Sequence, residues 1–295
     1  MRNFLLAAAL GLNSNLAQAH DLKHLPLGDN LKSTGPQKGH LWPCHVDPAA
    51  GGAFKDGPWI DQQAGTFDRT AKPHVPGDVK WPHHFTVVLT NRQRVFSSDD
   101  LPEHGTGTYP IPSDSAAYQY DRNPNGIKQQ KIQFSLPEEP QLAAQATCAP
   151  GAVGILLSGV ALFSAIDAPG RDAVAHEVQD RCDGHPQESG VYHYHNVSPC
   201  VDDKRQHDGS SGLVGFAIDG FGIYGPFAAG GQKLESKDLD ECHGTMSDVM
   251  WDGKVVHMYH YVATDDFPYT LGCIKGTVDR KLVETLSGPR HWWFW

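Results

Sequence analysis

A near-duplication inside the chain constrains its fold more than any other feature. Asp180-Arg181-Cys182-Asp183-Gly184-His185 is matched by Asp240-Glu241-Cys242-His243-Gly244-Thr245. Each hexapeptide leads into a Tyr-His-Tyr run, Tyr192-His193-Tyr194 or Tyr259-His260-Tyr261, and then to a further cysteine, Cys200 or Cys273. Upstream, Gly159-Val160-Ala161-Leu162 echoes Gly215-Phe216-Ala217-Ile218. The offset between matching residues widens along the unit, as loop insertions would make it. Two related supersecondary units, residues 150–200 and 210–276, are therefore expected to share one core.

The local patterns around these units are those of strands. Short β-type runs at Phe85–Thr90, 132–136 and 154–163 are separated by turn formers such as Asn123-Pro124-Asn125-Gly126, the signature of an all-β architecture. Residues 215–224 place Asp219-Gly220 between apolar runs, which predicts a hairpin closed by a type I′ turn. Helix signals are few, the best being residues 171–180. The expected fold class is mainly β, with a duplicated, hairpin-rich, pseudo-symmetric core, stapled by disulfides and lying within a β-rich domain at residues 81–276. A long irregular segment rich in Pro, Gly, Asp and His precedes it at residues 20–80. An aromatic tail, residues 277–295, ends in His291-Trp292-Trp293-Phe294-Trp295.

Arg2, the apolar run 4–12 and the small-residue end Ala17-Gln18-Ala19 form the three-part layout of a secretory signal peptide, residues 1–19. That apolar run is too short to span a bilayer, so a secreted or periplasmic chain beginning at His20 is expected, with no membrane span. In an oxidising compartment, six cysteines read as three disulfides. Six cysteines allow 15 pairings; spacing and the repeat favour Cys182 with Cys200 and Cys242 with Cys273, leaving Cys44 with Cys148. The formal charge of −10 with neutral histidines becomes more negative once Arg2 is removed. A surface of that sign repels phosphate backbones and anionic lipids, which argues against nucleic acid as a partner.

The chemistry lies in the histidines, 17 in all. On a strand, His193 and His195 project from one face and the neighbouring tyrosines from the other. His185, eight residues before His193, is the expected third member. Three neutral imidazoles suit Cu or Zn. In the second unit Thr245 and Val262 replace two of the histidines and only His260 keeps its place, so one site is expected, with His260 as a candidate further ligand. Asp180 and Asp240 are candidates to orient these histidines. A second candidate is His20, whose free amine and ring could chelate copper together with an inner histidine. His176-Glu177 opens a zinc-helix motif, but Asp180 stands where its second histidine should be, so the stretch reads as a short helix feeding the disulfide loop. No G-x-S-x-G elbow occurs. Asn196-Val197-Ser198 is a glycosylation sequon, relevant only in a eukaryotic secretory pathway.

The tetrapeptide Tyr192-His193-Tyr194-His195, with residues 159–163, 170–172, 182–185, 215–226 and 267–273, resembles the YHYH-domain proteins. The similarity covers roughly residues 81–276; it implies membership of that family and little about activity. The leading expectation is an exported protein that binds one transition-metal ion, Cu or Zn, through His185, His193 and His195. One alternative is a metal-dependent extracellular enzyme, oxidative or hydrolytic, with Asp183, Glu188 or Asp219 as acid or base. Another is a metal-free module that binds a glycan, small molecule or partner through Trp292, Trp293 and Trp295.

Overall fold

A computed structural model describes residues 21–288. The expectations for the signal peptide, for His20 and for the terminal tryptophans lie outside the described residues.

The Pro- and Gly-rich first segment forms only two-residue strands, β1 (Leu25–Pro26), β2 (Ile60–Asp61) and β3 (Thr66–Phe67), with β3 between the other two. An antiparallel sheet follows from β4 (Phe85–Thr90), β5 (Gln93–Ser98) and β6 (Ile132–Pro137). After β7 (Leu142–Thr147) come the strands of the main sheet. These are β8 (Ala152–Leu156), β9 (Ala161–Phe163), β10 (Gly184–Pro186), β11 (Tyr192–Tyr194), β12 (Leu213–Ala217), β13 (Gly222–Tyr224), β14 (Gly244–Trp251) and β15 (Lys254–Val262). Last is β16 (Ile274–Gly276), antiparallel to β7. The two α-helices among the described residues, α1 (Ala173–His176) and α2 (Arg280–Ser287), are short. None of the described helices is long and apolar enough to cross a membrane.

The main sheet runs β10-β11-β9-β8-β12-β13-β15-β14. Antiparallel β8 and β12 meet at its centre. On one side β8 and β9 form a hairpin, β9 pairs in parallel with β11, and β11 pairs antiparallel with β10. On the other side β12, β13, β15 and β14 repeat that sequence of pairings. Every residue of β8, β9, β10 and β11 is buried, so these strands read as continuous runs rather than alternating ones. The three disulfides are Cys44–Cys148, Cys182–Cys200 and Cys242–Cys273, the pairing favoured by the sequence. The second ties the loop before β10 to the loop after β11.

The irregular segment acts as a strap that fixes α1. The Gly28 amide donates to Asp172 Oδ2 at 2.9 Å, and Trp59 Nε1 donates to the Ala175 carbonyl at 2.9 Å. A Cβ at position 28 would lie 2.1 Å from the Phe267 ring, so only glycine allows this approach. His176 sits between Asp56 Oδ1 at 2.9 Å and Asp29 Oδ2 at 3.0 Å. With an acceptor at each nitrogen, the ring is best satisfied as the doubly protonated cation. Burial pushes the Asp29 carboxyl up, but its bonds from His176 and the Asp172 amide outweigh this and hold it at about 2, against an ordinary 3.8. Because the folded value is depressed, the stabilisation is present above pH ~4 and is lost as pH falls towards 2. At full effect it amounts to about 2 kcal/mol. Urea unfolding at pH 6 and pH 2.5 should show the gap between the parent and Asp29→Asn shrinking at the lower pH; an equal gap at both would rule this out.

Four expectations need correction. The single run 154–163 is the β8–β9 hairpin, turned at Gly159, whose φ is +77° and whose Cβ would meet that of Phe85 at 2.8 Å. The helix expected over 171–180 is one turn, because Glu177 is already extended. The 219–220 turn is not type I′. Gly220 has positive φ but Asp219 does not, and the Gly220 amide donates back to the Ala217 carbonyl at 2.9 Å. Type I′ geometry instead occurs at Asn91-Arg92 and Asp252-Gly253, where the flanking strands leave only two unpaired residues. Finally, part of the tail is helical. Helix α2, capped by Asp279, buries Leu282 and Leu286 and packs against β6 and β8.

Candidate metal centre

In the β10–β11 ladder His185 lies directly opposite His193. Alternation then brings His195 to the same face, and the three imidazole centroids lie 4.4, 5.0 and 5.3 Å apart. One nitrogen from each ring falls within 4.8 Å of the others, and all three residues are buried. Tyr192 and Tyr194 take the opposite face. Tyr192 donates to Asp180 Oδ2 at 2.8 Å, and Tyr194 Oη lies 2.6 Å from His104 Nε2.

Each imidazole is held differently. His195 Nδ1 lies 2.6 Å from the Ser164 carbonyl. A carbonyl only accepts, so the proton is on Nδ1 and the Nε2 lone pair faces inward. His193 stacks on Phe163 with 4.0 Å between centroids, and its Nδ1 lies 3.3 Å from the Val191 carbonyl. Neither nitrogen of His185 has a hydrogen-bond partner among the described residues, although the side chain is about 95% buried. An orphaned buried imidazole costs about 1–3 kcal/mol, so its retention asks for an explanation. Burial pushes His185 down to about 4, which keeps it neutral, the form that binds metals.

One residue that sequence reasoning set aside completes the cluster. Glu177 follows α1, whose amides at Val174 and Ala175 are capped by Asp172. Its Oε2 lies 3.4 Å from His185 Nε2 and 3.3 Å from His195 Nε2, and it has no hydrogen-bond partner among the described residues. Burial pushes the Glu177 carboxyl up, while the facing His185 and His195 rings and the Lys72 ammonium pull it below its ordinary value. The carboxylate is thus ionised at neutral pH. The only sequence signal was the His176-Glu177 pair, which fails as a helical motif because the chain leaves the helix there.

These side chains help line a cavity of about 840 Å³, whose walls include Phe163, Asp121, Asp167 and Val283. Asp121 is pushed up to about 6 by burial and by the nearby Glu177 charge. Of the acid or base candidates Asp183, Glu188 and Asp219, only Glu188 reaches this cavity. Asp183 pairs with Arg69 and Asn196, and Asp219 accepts from Tyr261 at 2.6 Å. His260 is not part of the cluster. Four strands separate β15 from β11, on the order of 20 Å at the usual strand spacing, and its ring packs against Tyr224. Asp180 and Asp240 do not orient the histidines either. Asp180 accepts from the amides of Gly107, Cys182 and Gly184, and Asp240 makes the same two local amide bonds in its own loop. The sequon residue Asn196 is buried and bonded to Asp183. The other grouping of potential ligands, His104 with Cys182 and Cys200, has both sulfurs locked in a disulfide.

Fold and site together define a mainly β, disulfide-stapled protein with three converging imidazoles and a carboxylate in the wall of a cavity. Residues 133–236, about a third of the chain, match the family model described as YHYH protein. The matched segment contains α1, β10 and β11, and therefore the whole cluster. No curated protein and no solved structure matches significantly.

Proposed function

We propose that this is an exported protein that binds one transition-metal ion, Zn or Cu, through His185, His193 and His195. The observation that carries the reading is the buried His185 ring, without a hydrogen-bond partner at either nitrogen among the described residues and facing two other imidazoles within ligand distance. Three disulfides suit an oxidising compartment. The cavity beside the cluster favours a second reading, a metal-dependent enzyme, since a substrate-sized space adjoins the metal position.

We also infer that the two halves of the main sheet arose from one duplicated unit. Matching pairings on either side of β8 and β12 support this, as do the equivalent aspartate-capped cysteine loops. Thr245 pairs with His260 as His185 pairs with His193, so in this reading the second half keeps the scaffold and has lost the donors.

The test is elemental analysis of the mature protein after loading with Zn²⁺ or Cu²⁺ and removal of excess ion. One ion per chain is expected in the parent and in His260→Ala, and none in folded His193→Ala or His185→Ala. A metal-free parent, or undiminished metal in both histidine variants of the cluster, would overturn the assignment.

A further inference from the structure

We propose that Glu177 is a fourth protein ligand to the ion held by the three imidazoles, making this a three-nitrogen, one-oxygen centre. The inference rests on the metal reading above and adds to it the donor that decides which ion is preferred.

Two buried polar groups with no hydrogen-bond partner face each other here, Glu177 Oε2 and His185 Nε2, 3.4 Å apart. The same oxygen lies 3.3 Å from His195 Nε2, whose lone pair is free to point inward because Nδ1 serves the Ser164 carbonyl. Two donors on one tetrahedral ion, with bonds of about 2.0–2.2 Å, are separated by roughly 3.3–3.5 Å. Both separations therefore have the length of a coordination edge, longer than the 2.7–2.9 Å of a charge-assisted hydrogen bond. A single ion between these atoms would satisfy all of them.

The backbone of Glu177 is fixed on both sides. Its amide donates to the Ala173 carbonyl at 3.0 Å, and the next amide, Val178, donates to Asp121 Oδ2 at 3.0 Å. The preceding residue is clamped by Asp29 and Asp56. The carboxylate is thus delivered by a preorganised turn. A hard, charged oxygen beside three imidazoles suits a divalent ion such as Zn²⁺ and works against Cu⁺, which prefers soft donors.

The test uses the full mature protein with Zn²⁺ for affinity and Co²⁺ as a spectroscopic substitute. Glu177→Gln should weaken Zn²⁺ binding by more than about 100-fold, beyond the range typical of outer-shell partners, and should shift the visible Co²⁺ bands. Glu177→Asp, which keeps the charge on a shorter stem, should fall between. Circular dichroism verifies folding, and if the glutamine variant does not fold, the aspartate variant decides. Zn²⁺ affinity within about tenfold of the parent and unchanged Co²⁺ bands in the folded variants would overturn the role of Glu177. In that outcome the histidine site still stands if His193→Ala abolishes binding. If His193→Ala binds like the parent, the metal reading fails and the Glu177 proposal with it.

Discussion

Asp180→Ala is expected to cost about 4 kcal/mol of unfolding free energy, while Asp240→Ala at the matching position should cost about 1–2. The Asp180 carboxylate is fully buried and accepts from three backbone amides and from Tyr192 Oη. Each donor orphaned away from water costs about 1–3 kcal/mol, less whatever the site recovers by relaxing. Asp240 has a similar set of partners, including Tyr259 Oη at 3.2 Å, but is only half-buried, so water can replace it. Burial pushes the Asp180 carboxyl up and its donors pull against this, so Asp180→Asn, which keeps one acceptor, should recover part of the loss. Urea titrations of the three variants measure the difference. Equal costs at positions 180 and 240 would show that burial does not set the energetics of these loops. Because Asp180 holds the loop that starts β10, its removal should also displace His185.

Phe96→Ala should lower stability by about 3–5 kcal/mol. Phe96 is fully buried on β5, stacks on Phe134 at 4.6 Å and meets Phe216 of β12 edge-on at 5.2 Å. It therefore joins the small sheet to the main one. Its loss removes a large apolar side chain and two aromatic pairs, each worth about 0.5–1.5 kcal/mol beyond area burial. Val88→Ala on the neighbouring β4 makes the control. That side chain is 55% exposed, and its removal should cost under about 0.5 kcal/mol. Thermal unfolding should place the Phe96 variant roughly 10 °C below the parent. A shift no larger than that of Val88→Ala would mean the two sheets do not depend on this contact.

Much of the fold was legible because its signals are local. Turn residues and β-branched runs marked β4 and β6, and the even cysteine count with its spacing gave the disulfides. Alternation also placed His193 and His195 on one face with the tyrosines behind them, a consequence of strand geometry alone. The errors came where a long-range contact overrides a local preference. Asp219-Gly220 carries the dipeptide of a type I′ turn, but the Asp219 carboxylate is engaged by Tyr261 Oη and the Gly276 amide, at 2.6 and 2.9 Å. The turn closes one residue differently as a result. Asp252 is also held from afar, by the two Arg94 guanidinium nitrogens at 2.9 and 2.8 Å, but that contact leaves Asp252-Gly253 in the geometry its sequence favours.

The same division runs through the candidate site. His185 could be named as a third member from its spacing, but only the antiparallel register of β10 and β11 puts it opposite His193. Glu177 was out of reach. Its helix lies outside the ladder, and its approach to His185 and His195 depends on a strap more than a hundred residues upstream that holds α1 through Asp29 and Trp59. His260 was misplaced for the converse reason. Likeness to His193 within the repeat says which strand it occupies, not how many strands lie between.

The sequence by itself thus determined the strand-forming runs and the face shared by His193 and His195, and favoured the cysteine pairs, because periodicity and covalent spacing act over a few residues or through one bond. Only the tertiary structure decided that His185 and Glu177 converge there while His260 stands apart. Strand order, register and the path of an irregular strap are set by packing summed over the whole core, which no short stretch of sequence encodes.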